Sequence, residues 1–561
     1  MRTFSIQTLG CKVNQYESEQ IASLLRSRGL VEVASPGGDV RVVNTCSVTV
    51  QAASKSRQTI RRTAGRTVSL PMLRGASPSD TSPKSRSRTI ATGCWATSDR
   101  SQAAALVGVD AVITHHDDVA AELDRLLTIW ENRPTAHSSS NTFANANTTP
   151  QKAASDVVPG CGAESDGPRS GADEGWMKKA GTLAADLVAT NKPRDGGVVN
   201  GKVAGPSVIL SEAKDLGLAN SVRVPEILRF AQDDKRRKGT TSLPLLGERQ
   251  TGHQRAFLKV QDGCDAHCTY CIIPKLRPRV WSKTVDDAVG EATRLVASGH
   301  VELVLTGIFL GAYGQPTALR RRQDQARRAP IAALIDGLCT RVPGLRRLRL
   351  SSLEPGDLTP DLIAVLKSHA QVVPHFHLPL QSGSDFILRR MNRQYTRDDF
   401  LRMVEQVYAA FDRPALTTDV IAGFPGETDA EFERTIEVVD AARFIHVHAF
   451  SFSPRPGTAA ARWSSDFVRG PVVNDRIDAL RARAELHSFE FRKAFVGEEV
   501  ELLVERASDE DEVSGRVRHG RCERYFSVFF ESDRVIRDGE TVRVRVDRVT
   551  LHRTMGVVVG D

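Results

Sequence analysis

The chain has 561 residues, of which 40% are apolar, and it carries a net charge of +8. This length exceeds what a single core supports, so we expect three or four domains, and so small a charge excess indicates nucleic-acid binding only weakly. Nine cysteines in a chain this long do not form a secreted disulfide framework, no apolar run has membrane-spanning length, and the N-terminus has no signal-peptide pattern. We therefore expect a cytoplasmic protein.

The first segment, residues 1–130, has the pattern of a parallel α/β domain. Predicted strands over Thr3–Thr8, 40–43 and 88–92 alternate with helical patterns, and each strand is followed within a few residues by a cysteine. These cysteines are Cys11, Cys46 and Cys94. Because parallel strands end at one edge of their sheet, the three thiolates can meet there and hold an iron–sulfur cluster. Taken singly, each would more commonly be a buried structural cysteine.

The composition changes over residues 131–253. Ser/Asn/Thr tracts such as HSSSNTFANANTTP, Gly/Asp-rich stretches and a Lys-Arg run show little sustained periodicity. Segments of this kind cannot bury enough apolar surface to form a core. We therefore predict a disordered, low-complexity insertion that takes no part in the chemistry.

The stretch KVQDGCDAHCTYCIIP, at residues 259–274, contains the most specific motif of the chain. Cys264, Cys268 and Cys271 stand in a C-x3-C-x2-C spacing. Three thiolates within eight residues can bind three irons of a 4Fe-4S cube and leave the fourth iron open. A closed zinc site would need a fourth ligand, and only His267 lies nearby, so zinc and a plain cluster of buried cysteines are the alternatives.

The pattern of strands and helices in residues 254–496 predicts a partial (β/α) barrel. Apolar strands near residues 303–305, 348–350 and 449–452 alternate with amphipathic helices, as the strands of parallel barrels do. Active residues of such barrels lie at the carboxyl ends of the strands. The candidates at these ends are Gly307, Glu354, Gln381 and Asp419.

Residues 497–561 contain short alternating strands, such as VELLVE and TVRVRV, which are typical of a small antiparallel β-barrel. Acidic residues outnumber basic ones in this segment, so a phosphate backbone would contact only one basic face of it. Elsewhere, basic groups such as residues 346–349 and 389–397 are candidates for phosphate contacts, although runs of this kind are more often solvated faces.

The spacing of Cys264, Cys268 and Cys271 resembles that of the radical S-adenosylmethionine superfamily. The resemblance implies a 4Fe-4S cluster whose open iron chelates S-adenosyl-L-methionine, from which a 5′-deoxyadenosyl radical is released. It also implies that Tyr270 lies near the adenine of this cofactor, although a core aromatic is an equally good interpretation. The strand-end motifs, in their order along the chain, resemble the cofactor-binding walls of this family. The residues so implicated are Gly307, Glu354, Gln381 and Asp419.

The motifs TLGCKVNQYESE, NTCSVT, KSRQ and ATGCWA resemble the amino-terminal domain of the methylthiotransferases, radical enzymes that add sulfur and a methyl group to an unactivated carbon. The resemblance implies a Rossmann-like N-terminal domain (1–130), a partial (β/α) radical-SAM barrel (254–496) and a small TRAM-like β-barrel (497–561) that helps to grip RNA. It further implies a second 4Fe-4S cluster, whose open iron carries the sulfur to be delivered. The ligands of that cluster would be Cys11, Cys46 and Cys94. No catalytic side chain beyond the cluster ligands is expected.

The stretch TLGCKVNQYE looks most like the branch that methylthiolates carbon 2 of N6-threonylcarbamoyladenosine at position 37, next to the tRNA anticodon. Two other branches carry different residues around the first cysteine. The expected partners are the tRNA anticodon loop, whose unstacked bases can enter a deep site singly, and a reducing protein such as flavodoxin or ferredoxin. Alternatives within the family are another tRNA adenosine and a ribosomal-protein aspartate. An alternative of a different class is a non-catalytic RNA-binding protein with zinc at both cysteine sets.

Overall fold

The structure is a computed structural model that describes residues 1–35, 37–46, 50–64, 87–93, 100–106, 108–114, 117–131, 246, 254–319, 330–506 and 517–559. The predicted insertion at 131–253 lies outside the described residues, apart from Glu131 and Leu246. Within the described ranges, no helix is both long enough and apolar enough to cross a membrane.

The N-terminal domain is built on a five-stranded parallel sheet in the order β2-β1-β3-β4-β5, which confirms the predicted α/β fold. The strands are β1 (Thr3–Thr8), β2 (Val31–Glu32), β3 (Val40–Thr45), β4 (Arg88–Gly93) and β5 (Ala111–Ile113). The helices are α1 (Lys12–Ser27), α2 (Val50–Ala64), α3 (Arg100–Ala104) and α4 (Val119–Glu131). The central strand β3 is buried along its whole length, because α1 and α4 cover one face of the sheet and α2 and α3 cover the other.

The central domain is a partial barrel of parallel strands, as predicted. Its strands are β6 (Arg255–Asp262), β7 (Trp281–Ser282), β8 (Glu302–Gly307), β9 (Arg347–Leu350), β10 (His375–His377), β11 (Ala415–Ala422) and β12 (His446–Ser451). The orders are β7-β6-β8-β9 and β10-β11-β12, with β7 antiparallel to β6. The two sheets meet where Ser352, after β9, pairs in parallel with His377 of β10. All strands except β7 therefore direct their carboxyl ends toward the same side of the domain.

The helices of the central domain begin at well-defined positions. They are α5 (Ile273–Leu276), α6 (Val285–Ala297), α7 (Pro330–Arg341), α8 (Pro360–Ser368), α9 (Asp385–Arg390), α10 (Arg397–Ala410), α11 (Asp429–Ala442) and α12 (Gly470–Lys493). Five of them start after a Ser or Thr whose side chain accepts the N–H group of the third helical residue. These caps are Thr284, Thr359, Ser384, Thr396 and Thr428. They fix where each strand-to-helix loop ends and so position the polar residues in it.

The C-terminal domain is a closed five-stranded barrel in the order β13-β14-β15-β17-β16. Its strands are β13 (Glu499–Val504), β14 (Val517–Cys522), β15 (Ser527–Glu531), β16 (Thr541–Val549) and β17 (Thr554–Val558). All neighbouring pairs are antiparallel except β15 and β17. The small barrel was predicted, but β14 was not, because its polar sequence VRHGRC does not alternate. A turn at Tyr525, whose φ is 74°, separates β14 from β15.

Two arginines of β9 join the central domain to the C-terminal barrel. Arg349 is 1% exposed; its side chain binds Glu302 at 2.7 Å and donates to the carbonyl of Glu523 at 3.0 Å. Its guanidinium also lies 4.7 Å from the ring centroid of Tyr525. Arg347 is also buried and donates to the carbonyl of Arg521 at 3.3 Å. The expectation that this basic group contacts phosphates or faces solvent is therefore wrong for these two residues.

Candidate functional site

The three cysteines of the C-x3-C-x2-C motif lie in the loop that follows β6. The Cys264 N–H donates to the carbonyl of Arg277 at 2.9 Å, and the Cys271 N–H donates to that of Cys268 at 3.0 Å. Gly263 precedes the loop with φ of 79°, and a Cβ atom there would lie 1.7 Å from a backbone oxygen. Only glycine fits this position, so the sequence at this point is dictated by the tight turn that gathers the thiols.

The chemistry of these thiols suits an iron–sulfur cluster. Burial and, to a smaller extent, the neighbouring thiols raise the pKa of Cys264 to about 11 and that of Cys271 to about 12, so the thiolates need a soft cation beside them. Among the described residues, the one group of three candidate ligands whose donor atoms all lie within 4.8 Å is a histidine and aspartate group elsewhere. That group consists of His377, Asp419 and His448.

An arginine that the motif analysis did not single out connects this loop to two of the candidate cofactor residues. Arg393, between α9 and α10, donates to the Cys268 sulfur at 3.3 Å and to the Tyr270 hydroxyl at 3.4 Å. It also forms an ion pair with Glu354. The Tyr270 ring itself packs edge-on against Phe424, with ring centroids 6.2 Å apart, as the core-aromatic alternative expects. In the sequence, this arginine is one member of the basic group at residues 389–397.

The structure brings Cys11 and Cys46 together at the carboxyl edge of the N-terminal sheet. The strands that lead to them, β1 and β3, run side by side with Thr8 opposite Asn44. A Cβ atom on Gly10 would lie 2.7 Å from Cβ of Cys46, so glycine is what allows the two turns to approach each other. The Cys11 side chain is exposed, whereas that of Cys46 is buried.

The third predicted cysteine of this group, Cys94, lies outside the described residues. Gly93, the residue before it, ends β4 directly opposite Thr45 of β3. A Cβ atom on Gly93 would lie 2.5 Å from the carbonyl oxygen of Thr45. The strand order therefore carries the chain to the same edge of the sheet as Cys11 and Cys46, which is the arrangement that the strand-then-cysteine pattern predicts.

A cavity of about 970 Å³ is lined by residues from all three domains. Cys11 and Lys12 come from the N-terminal domain, Gly307 and Asp419 from the central barrel, and Tyr525 from the C-terminal barrel. A volume of this size is enough for a nucleoside-sized ligand. Two of the five candidate cofactor residues, Gly307 and Asp419, therefore share one cavity with the first cysteine of the N-terminal group.

Histidines surround Asp419 in this cavity. His377 Nε2 lies 3.2 Å from Asp419 Oδ2, and its Nδ1 is 3.0 Å from the Thr417 hydroxyl. His448 completes the group, and burial lowers its pKa to about 4, so its ring is neutral at pH 7. These side chains form a wall of hydrogen-bonding groups. The sequence alone does not single out the histidines, which alternate with apolar residues in the strands HFH and HVHAFS.

The backbone of Gln381 supports the wall that contains Asp419. Its φ is 62°, a left-handed backbone conformation that residues other than glycine rarely adopt. Its N–H donates to the carbonyl of Asp419 at 2.8 Å, and its carbonyl accepts the N–H of Ile421 at 3.0 Å. Gln381 therefore holds the strand that carries Asp419. The remaining candidates, Tyr270 and Glu354, lie around Arg393 and are not among the cavity-lining residues.

Comparison with known proteins identifies three family matches in the order of the domains. The match to the radical SAM superfamily covers residues 258–439, that to the uncharacterized protein family UPF0004 covers residues 3–114, and that to the TRAM domain covers residues 493–559. A solved radical S-adenosylmethionine methyltransferase from Kitasatospora setae, with cobalamin and a 4Fe-4S cluster bound, is 13% identical with a TM-score of 0.44, over 82% of this chain and 77% of that one.

Three curated relatives are informative. The threonylcarbamoyladenosine tRNA methylthiotransferase MtaB of Chlamydia pneumoniae is 38% identical over 55% of this chain and 69% of its own length. MtaB of Bacillus subtilis is 29% identical over 98% of this chain and 99% of its own. The tRNA-2-methylthio-N(6)-dimethylallyladenosine synthase of Frankia casuarinae is 41% identical, but the match spans 50% of this chain and about half, 51%, of that protein.

These matches, together with the fold and the two cysteine groups, define the class of protein. The chain belongs to the radical S-adenosylmethionine methylthiotransferase family. It is accordingly an enzyme of the transferase class, and the cofactors of this family are S-adenosyl-L-methionine and two 4Fe-4S clusters.

Proposed function

We propose that the protein methylthiolates carbon 2 of N6-threonylcarbamoyladenosine at position 37 of tRNA. The observation that carries this proposal is the shared cavity, in which Cys11 of the N-terminal domain and Gly307 and Asp419 of the central barrel line one space of about 970 Å³. A substrate atom bound there is within reach of groups held by both domains. Holding reactants together in one site in this way can raise a reaction rate by several orders of magnitude.

The cysteine groups have separate roles in this proposal. Cys264, Cys268 and Cys271 hold one 4Fe-4S cluster, and Cys11, Cys46 and Cys94 hold the other. With S-adenosyl-L-methionine, the bound clusters supply a radical that removes the hydrogen from carbon 2, and the sulfur and methyl group that replace it. The chain positions these groups: Arg393 holds Glu354 and the Cys268 sulfur, while Gln381 holds the Asp419 strand. S-adenosyl-L-methionine would lie along Tyr270, Gly307, Glu354, Gln381 and Asp419.

The C-terminal barrel supports a tRNA substrate. Arg521, Tyr525 and Phe529 of this barrel line the same cavity, and arginine and aromatic side chains are the groups that bind phosphates and stack on unpaired bases. The anticodon loop is the part of tRNA that can present one adenosine singly. The radical reaction also requires an electron, which a reducing partner such as flavodoxin or ferredoxin would supply. With tRNA as the substrate, the reaction would take place in the cytoplasm.

Nucleoside mass spectrometry of tRNA from cells with and without the gene tests the substrate. We expect 2-methylthio-N6-threonylcarbamoyladenosine to disappear with the gene and to return when it is restored. Unchanged methylthio-nucleosides would argue against the tRNA substrate. If the 2-methylthio-N6-dimethylallyl nucleoside disappears instead, the substrate is N6-dimethylallyladenosine, the adenosine named for other relatives.

Anaerobically purified protein should be brown and hold about eight irons for two cubes, whereas zinc would leave it colourless.

A further inference from the structure

The wall of the cavity carries more positive than negative charge. Its lysine and arginine side chains are Lys12, Arg481, Arg492 and Arg521. Two carboxylates of the described residues line it, and each already meets a histidine: Asp419 lies 3.2 Å from His377, and Glu485 lies 2.6 Å from His552. A cavity with this balance is complementary to an anionic ligand.

Lys12 differs from the other cations of this wall. Arg521 binds Glu505 at 3.1 Å, Arg492 donates to the Thr554 hydroxyl at 2.9 Å, and Arg481 lies 3.6 Å from a carboxylate of its own helix. Lys12, by contrast, makes no hydrogen bond or ion pair with any residue in the ranges that the structure describes. Asp419 and Tyr525 of the same wall attract this half-buried ammonium group without pairing with it, so the position favours a ligand that supplies a direct anionic partner.

The position of Lys12 next to Cys11 places it near the N6 substituent of a bound adenosine. It is the residue directly after Cys11, and both side chains line the cavity. On adenine, carbon 2 and the carbon that bears N6 flank the same ring nitrogen, so both lie on one edge of the base. An adenosine whose carbon 2 faces Cys11 therefore has its N6 substituent beside the neighbouring residue.

From these relationships we propose that Lys12 binds the carboxylate of the threonylcarbamoyl group and so selects this adenosine over adenosines with a neutral N6 substituent. The inference rests on the proposed function and names the residue that determines its specificity. Lys12 lies on the N-terminal domain, whereas the reaction's radical loop lies on the central barrel. Specificity is thus set on the side of the cavity that carries Cys11.

Binding measurements with the anaerobically reconstituted enzyme test this proposal. Three anticodon stem-loops are compared by fluorescence anisotropy: one with threonylcarbamoyladenosine, one in which its carboxylate is converted to the neutral amide, and one with unmodified adenosine. Wild-type enzyme should bind the carboxylate form at least about tenfold more tightly than the amide, equivalent to about 1.4 kcal/mol. Lys12→Met should bind both forms equally, Lys12→Arg should retain part of the preference, and Lys367→Met, at an exposed position on α8, should match wild type.

The outcomes separate the two proposals. If Lys12→Met keeps the full preference for the carboxylate, or if the wild type has none, the proposed role of Lys12 is wrong. A loss of affinity that is equal for all three stem-loops would mean that Lys12 contacts the phosphate backbone instead, which also overturns it. The proposed function fails independently if wild-type enzyme forms no methylthio product on the carboxylate stem-loop. Iron content of each variant, measured in parallel, shows that the clusters are present.

Discussion

Glu17 and Arg277 form a two-pronged ion pair between residues 260 positions apart, with N–O distances of 2.8 and 2.9 Å. Glu17 lies in α1, the helix that begins directly after Cys11. The backbone carbonyl of Arg277 accepts the N–H of Cys264. The pair therefore connects the helix behind one cysteine group to the loop that contains the other, and it fixes the distance between the two sites.

Loss of the Glu17 carboxylate should strongly destabilise the junction between the two domains. Glu17→Gln would leave the buried cations Arg277 and Lys259 with less compensation, and breaking a buried pair costs about 3–5 kcal/mol. We expect lower stability in anaerobic urea denaturation and faster proteolysis between the domains. Asp124→Asn is the matched control, because it breaks a surface pair with Arg28 and should cost at most about 1 kcal/mol. Equal effects of the two substitutions would contradict the structural role of Glu17.

The cysteine groups should be separable by substitution. Cys268→Ala should lower the iron content from about eight to about four per chain and abolish cleavage of S-adenosyl-L-methionine. Cys46→Ala should also leave about four irons but retain that cleavage, because the radical loop is intact. Iron analysis, electron paramagnetic resonance and assay of 5′-deoxyadenosine measure these outcomes. Cys339→Ala, at a buried position on α7, is the control and should keep all the iron; if it loses as much as Cys268→Ala, the assignment of ligands is wrong.

Arg393 should tune the cluster held by the radical loop. Its N–H group contacts the Cys268 sulfur, and a positive hydrogen-bond donor there stabilises the reduced, more negative state. We expect Arg393→Gln to lower the reduction potential by roughly 60 mV, a tenfold change for one electron, in a redox titration followed by electron paramagnetic resonance. The exposed Arg402→Gln on α10 should leave the potential unchanged. A potential in Arg393→Gln equal to that of wild type would show that the contact has no electronic role.

Glu427 should make stability depend on pH. Burial raises its pKa to about 7, although the Gly423 N–H and Arg476 oppose the shift. Because the folded state then holds a proton that the unfolded state has lost, stability falls as pH rises from about 4.5 to about 7, by roughly 3 kcal/mol. Glu427→Gln should remove this slope in urea denaturation at several pH values. The exposed Glu433→Gln should retain it, and an unchanged slope in Glu427→Gln would place the titrating group elsewhere.

The sequence by itself determined the parts of this protein that depend on local patterns. Cys264, Cys268 and Cys271 fall within one short loop, so their spacing alone limits what they can bind. The strand-then-cysteine pattern places Cys11 and Cys46 at one edge of a sheet, because parallel strands leave no other arrangement. The three-domain order follows likewise from hydrophobic periodicity.

Only the tertiary structure decided which charged residues meet. Arg347 and Arg349 were indistinguishable in sequence from a solvated basic run, yet they are buried between two domains. Lys12 lines the cavity and forms no ion pair with a described residue, whereas Glu17, about one and a half helical turns further on, is paired with Arg277. Periodicity shows which face of an element is apolar, but a charge's partner depends on how separate elements pack together. These contacts join segments on either side of residues 131–253, a separation across which sequence patterns carry no information about distance.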